Sequence, residues 1–105
     1  MKIGSGVIGT YTHNHGAYAA LVALECPATA AGEASVQTFA NRVAQHLVAV
    51  DPEAEGAAGV AALYEASFLF DETVTVKQAV EAESAQATGD ASAFQLSFVR
   101  WGPGE

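Results

Sequence analysis

The residues able to do chemistry are few. Two histidines stand one residue apart in Thr12-His13-Asn14-His15-Gly16, a third lies at His46, and the single thiol is Cys26. Two imidazoles on one side of an extended segment could begin a zinc site. Such a site takes three or four ligands with supporting hydrogen-bond partners. No Cys-x-x-Cys or His-Glu-x-x-His accompanies the pair, so ligand count argues against a metal, and His13 and His15 read as exposed turn residues. A nucleophile would have to be Cys26 or a serine, and nothing beside Cys26 in the sequence would lower its pKa. The acid pairs Glu53/Glu55 and Asp71/Glu72 lie in linker-like sequence and read as solvated loops. Gly4-x-Gly6-x-x-Gly9 matches a dinucleotide fingerprint in its letters only. That motif needs a strand before its first glycine and a helix after its last. Here a strand runs through Gly9. No acid–base or nucleophilic constellation assembles, which predicts a binding protein with no catalytic site, cofactor or metal.

The bulk properties narrow the class of partner. A chain of 105 residues has room for one domain with one core, here spanning the whole of 1–105. Half of it is apolar, and twelve acidic residues against four basic ones give a net charge of −8. The sparse cations Lys2, Arg42, Lys77 and Arg100 cannot hold a phosphate backbone against that field, which excludes nucleic acid. A partner with basic patches fits better. A lone cysteine fits a reducing cytoplasm. Met1-Lys2-Ile3-Gly4 opens without an apolar leader core, and the longest apolar run, Ala17 to Leu24, is too short to span a membrane. The expectation is a small soluble cytoplasmic protein.

The elements that must position these residues follow from periodicity. Val7 to Thr12 and Ala17 to Cys26 alternate as strands around His13-Asn14-His15-Gly16, a hairpin signal. The second strand places Tyr18, Ala20, Val22, Leu24 and Cys26 on one face. Pro27 to Glu33 reads as a loop. Val36, Phe39, Ala40, Val43, Ala44, Leu47 and Val48 then recur at helical spacing, with Gln37, Asn41, Arg42 and Gln45 facing away. Ser35 is the candidate N-cap and Asp51-Pro52 the stop. His46 falls at the edge of the apolar stripe, about 90° from its centre at 100° per residue. That position suits either a boundary side chain whose nitrogen reaches water or a partner contact. Glu53 to Gly59 reads as a linker, followed by a short helix through Val60, Leu63 and Tyr64 toward Phe68, broken at Asp71-Glu72. Thr73 to Ala87 starts extended and turns helical with Thr75 as cap. Phe94, Leu96 and Phe98 alternate as a last strand. The order β-β-α-α-α-β predicts an α+β fold: a small antiparallel sheet, made of an N-terminal β-hairpin and a C-terminal strand, packed on one face against about three helices.

The order of segments carries more than any one motif. Gly6 to Cys26 (GVIGTYTHNHGAYAALVALEC), Val43 to Pro52 (with the step AQHLV), Phe68 to Val80 (FLFDETVTVKQAV) and Phe98 to Gly102 together resemble the core, or dimerisation, domain of the elongation factor Ts family. The resemblance implies a partner, the GTPase elongation factor Tu, whose GDP the family releases by stabilising the nucleotide-free state. It implies cytoplasmic translation elongation, no enzyme chemistry of its own, and a homodimer, since family members use two core halves. Three departures stand out. The family's N-terminal helical domain has no counterpart before Lys2, and only Glu53 to Leu63 occupy the place of a long helical insertion. Where the family follows its strand-ending Cys with Glu-Thr-Asp-Phe, whose Asp-Phe wedges into the GTPase near Mg²⁺, this chain has Pro27-Ala28-Thr29-Ala30-Ala31. Partner contacts are therefore expected at Ala28, Thr29, Ala30, Ala31 and His46. Removing a wedge phenylalanine costs an interface on the order of 2–4 kcal/mol. The alternative is a stand-alone homodimerisation module that has lost nucleotide exchange.

Overall fold

The computed structural model describes residues 5–13, 17–54 and 56–102. Strands β1 (Gly6–His13) and β2 (Tyr18–Glu25) form the expected antiparallel hairpin, in register from Gly6 opposite Glu25 to His13 opposite Tyr18. A short helix α1 (Ala28–Ala31) leads to the long helix α2 (Ala34–Ala49). Helix α3 (Gly56–Glu65) precedes a second small hairpin, β3 (Ser67–Phe68) and β4 (Asp71–Thr75). Helix α4 (Val76–Thr88) and strand β5 (Gln95–Trp101) complete the order. Strand β5 pairs antiparallel with β2, so β2 is central in a three-stranded sheet β1-β2-β5. The architecture is the α+β arrangement expected, with the antiparallel sheet built from the N-terminal hairpin and the C-terminal strand.

The alternation read in β2 is the physical basis of the core. Ala20, Val22, Leu24 and Cys26 are buried toward α2, where Val36, Phe39, Ala40, Val43, Ala44 and Leu47 meet them. Fully burying a side chain such as Leu47 or Val43 is worth about 1.5–3 kcal/mol. The approach of α2 to β1 is unusually close. A Cβ at Gly9 would run into the Ala40 backbone. The helix also covers the open edge of β1. The Gln37 side chain donates to the Ile8 carbonyl at 2.9 Å, and the Thr10 amide donates to Asn41 Oδ1 at 3.2 Å. These two residues therefore satisfy edge-strand groups, although their helical phase placed them facing away.

Other expectations are corrected. Pro27 to Glu33 is not a loop throughout, because the Ala30 and Ala31 amides both bond back to the Pro27 carbonyl and wind α1. Ser35 does not cap α2. The Val36 and Gln37 amides bond to the Glu33 carbonyl, so Glu33 is the N-cap and makes no side-chain cap bond. The linker assigned to Glu53–Gly59 is already helical from Gly56. The short helix does not reach Phe68, because Ser67–Phe68 turns back as a strand against β4. Thr75 does cap α4, in a reciprocal capping box with Gln78, and Gly89 ends that helix with φ +80°. Gly9 offers the sharpest check on the packing. Gly9→Val should lower stability by about 3 kcal/mol, read as a fall in the urea midpoint with an unchanged slope.

Candidate functional site

The site is built where α2 meets the β3–β4 hairpin. Seven of the α2 side chains are buried, and His46 is one of them at 0 % exposure. Sequence phase had put it at the boundary with a nitrogen in water. The hairpin packing over it makes the difference. The Leu69 amide donates to His46 Nδ1 at 3.0 Å, and the Phe68 ring lies 5.9 Å from the imidazole centre. An accepting Nδ1 places the ring's proton on Nε2. That nitrogen is buried with no hydrogen-bond partner among the described residues. Burial alone pushes the His46 pKa below its ordinary value of 6.5.

What His46 holds is a two-residue turn carrying large apolar side chains. Leu69 is 38 % and Phe70 43 % exposed. Turn positions favour glycine, asparagine and aspartate for conformational reasons, and two consecutive large apolar residues depart from that preference. Phe70 continues an aromatic chain, with ring centres 5.6 Å from Phe68 and then 5.9 Å from Phe68 to Phe39. The Arg42 guanidinium lies 5.5 Å from the centre of the Phe70 ring, a cation–π contact that fixes its orientation. Leu69 also closes one side of a cleft of about 430 Å³ whose other walls include Tyr11, His13, Tyr18, Gln45 and Val48. His13 is exposed there, stacked 6.3 Å from Tyr11 and tilted 6.4 Å from Tyr18.

The remaining sequence-predicted residues separate from this centre. In α1, Ala28 and Thr29 are exposed, while Ala30 is buried in the core and Ala31 packs against it. This segment presents neither an acid nor an aromatic. Cys26 is buried, which raises its thiol pKa. His15 lies outside the described residues, and so does the geometry of the His13-x-His15 pair. Among the described residues no three or more His, Cys, Asp or Glu side chains gather as metal ligands. Among them, too, no helix is long and apolar enough to cross a membrane. Sequence reasoning drew Leu69 and Phe70 into a helix approach and missed that they stand exposed at a turn. Their signal was three large apolar residues, Phe68 to Phe70, running directly into Asp71-Glu72, where no helix face could bury all three.

A second exposed apolar surface is the sheet face opposite α2. The registers put Ile8, Ala23 and Ser97 in one row, Thr10, Leu21 and Val99 in the next, and Thr12, Ala19 and Trp101 in a third. Ile8, Val99 and Trp101 are all exposed, Trp101 by half.

Set beside known proteins, the sequence finds a curated relative. The chain is 32% identical over 113 residues to the mitochondrial elongation factor Ts of Nematostella vectensis, an alignment covering 90% of this chain and 36% of that protein. The chain is similar to an elongation factor Ts. It spans about a third of the length of that relative, so the likeness reaches the segments described above and not the whole factor. No protein-family model matches the chain. The elongation factor Ts likeness thus accords with the segment order read from the sequence.

Burial of His46 has a measurable consequence. Below pH 6.5 the unfolded chain takes up this proton more readily than the native one. The stability contribution is therefore complete above that pH and is lost as the pH falls toward the lower native value. Between about pH 7.5 and about pH 5.5, wild-type protein should lose more stability than His46→Gln, measured by urea unfolding. Glu83, whose carboxyl is raised by burial and by Glu33, works in the opposite direction. It is common to both proteins and drops out of the comparison.

Proposed function

We propose that this chain is a compact elongation factor Ts-like core domain that binds an elongation factor Tu-type GTPase and modulates release of its GDP during translation elongation. The observation that carries this reading is the Leu69–Phe70 tip, apolar, exposed and tied to α2 through His46. Exposed aromatic and aliphatic anchors on a rigid support are what a protein interface uses as hot spots. His46 serves as the positioning residue of that contact from beneath. The net charge of −8 favours a partner surface carrying basic groups. Exchange of this kind needs differential binding of two GTPase states and no covalent chemistry. A reducing compartment such as the cytoplasm suits the buried free thiol of Cys26.

A second reading is a homodimerisation module that has kept the fold and lost exchange. It is favoured by α1, whose Ala28, Thr29, Ala30 and Ala31 stand in the place of an acidic–aromatic wedge. In either reading a symmetric dimer forms across the sheet face opposite α2, burying Ile8, Leu21, Val99 and Trp101 against their copies. The exposed Ile8, Val99 and Trp101 on that face support this arrangement.

The deciding experiment follows fluorescent GDP leaving the GTPase with and without this chain. Faster release supports an exchange factor, and binding without acceleration supports the second reading. Absence of binding at tens of micromolar, on the order of −6 kcal/mol, overturns the GTPase partner altogether. Phe70→Ala should weaken GTPase binding by roughly 30-fold or more, seen by titration calorimetry, while lowering stability by only about 1 kcal/mol through the lost Phe68 and Arg42 contacts. For the dimer, sedimentation equilibrium should show a self-associating wild type and a monomeric Trp101→Asp. A monomeric wild type at high concentration removes that element of the reading.

A further inference from the structure

The His46 ring makes one hydrogen bond among the described residues, and that bond works in only one protonation state. Nδ1 accepts from the Leu69 amide, so Nε2 carries the proton, buried and without an acceptor. A second proton would have to sit on Nδ1, pointing at the Leu69 N–H that now points at it. The imidazolium would then hold two buried donors with no acceptor for either, an arrangement costing more than either lost bond alone. Something must move. The ring is carried by a 16-residue helix locked into the core, whereas Leu69 sits between a two-residue strand and a five-residue strand paired with a register irregularity. The hairpin is the weaker side, and segments with few core contacts open first.

We propose that His46 is a proton-operated latch: a second ring proton releases the Leu69–Phe70 tip from α2 while the sheet and α2 stay folded. The charged groups around this junction leave the ring as the switch. On α2, Arg42 is engaged over Phe70, and from α4, Glu83 lies within electrostatic reach of it and of Glu33. On the hairpin, the Asp71 carboxylate is taken up by the Thr73 amide and hydroxyl. From β5, Arg100 donates to the Leu47 and Val48 carbonyls and pairs with Asp51. From β1 and β2, Tyr11, His13 and Tyr18 line the neighbouring cleft. The effect on partner binding rests on the GTPase reading above. The latch itself does not.

The test is amide exchange and ring titration by NMR on the wild-type chain alone. From the ordinary imidazole value of 6.5 down to the ring's observed midpoint, protection of the Leu69 amide should fall about tenfold per pH unit, the slope of one linked proton, and below that midpoint it should be gone. The amides of Val22 and Val43 should keep theirs. In His46→Gln, a side-chain carbonyl can accept from Leu69 without titrating, and Leu69 protection should stay flat. The latch is overturned if Leu69 stays protected while the ring protonates, if the ring stays neutral until the whole chain unfolds, or if His46→Gln shows the wild-type slope. In the second arm, affinity for the GTPase should fall with the same midpoint in wild type and not in His46→Gln. Absence of any GTPase binding would overturn the functional reading, with the latch decided by the amide data.

Discussion

Helix α2 lies so close to β1 that only a glycine fits opposite Ala40, and this approach sets the position of everything else. At closer-than-usual separation the polar side chains of Gln37 and Asn41 reach the open edge of β1 and occupy the groups a further strand would otherwise seek. At the other end of the helix, Arg100 reaches from β5 to the Leu47 and Val48 carbonyls, which have no partner within a helix that ends at Ala49. The helix is thereby held along its length and at its C-terminal end, and its rotation is fixed. That rotation turns His46 inward.

From this follows the division between a rigid platform and a small attached hairpin. The platform is β1, β2, β5 and α2, with a continuous apolar interior. The β3–β4 hairpin contributes Phe68 to that interior and keeps Leu69 and Phe70 outside. Exposed apolar side chains thus gather in two places among the described residues, the hairpin tip and the sheet face opposite α2. Binding is the chemistry such surfaces do. They lie on different sides of the platform, since one belongs to the helix side and the other to the opposite face of the sheet.

Legibility differed by element for physical reasons. The hairpin, α2, the Thr75 cap, the Gly89 stop and β5 each rest on local signals, namely period, capping chemistry and backbone angle. They came through with small boundary changes. Helix α1 was missed because four residues after a proline carry no period to read. The β3–β4 hairpin was missed because its strands are too short for alternation to show, and Phe68 could serve a helix or a strand equally well. Among the site residues, Ala28 and Thr29 stand at the surface and Ala30 in the core, a split that four small residues do not announce.

The sequence by itself determined the α+β class, the strand that turns its apolar side to the core, the long amphipathic helix, and the likeness in segment order to elongation factor Ts. These depend on near neighbours along the chain. Only the tertiary structure decided that His46 is buried and not at the boundary, because Leu69, far along the chain, brings a backbone N–H to its ring and covers it. The same packing decided which apolar residues stay in solvent. Burial is a property of what lands on a residue, and for His46, Leu69 and Phe70 that was settled by a hairpin whose fold local pattern does not specify.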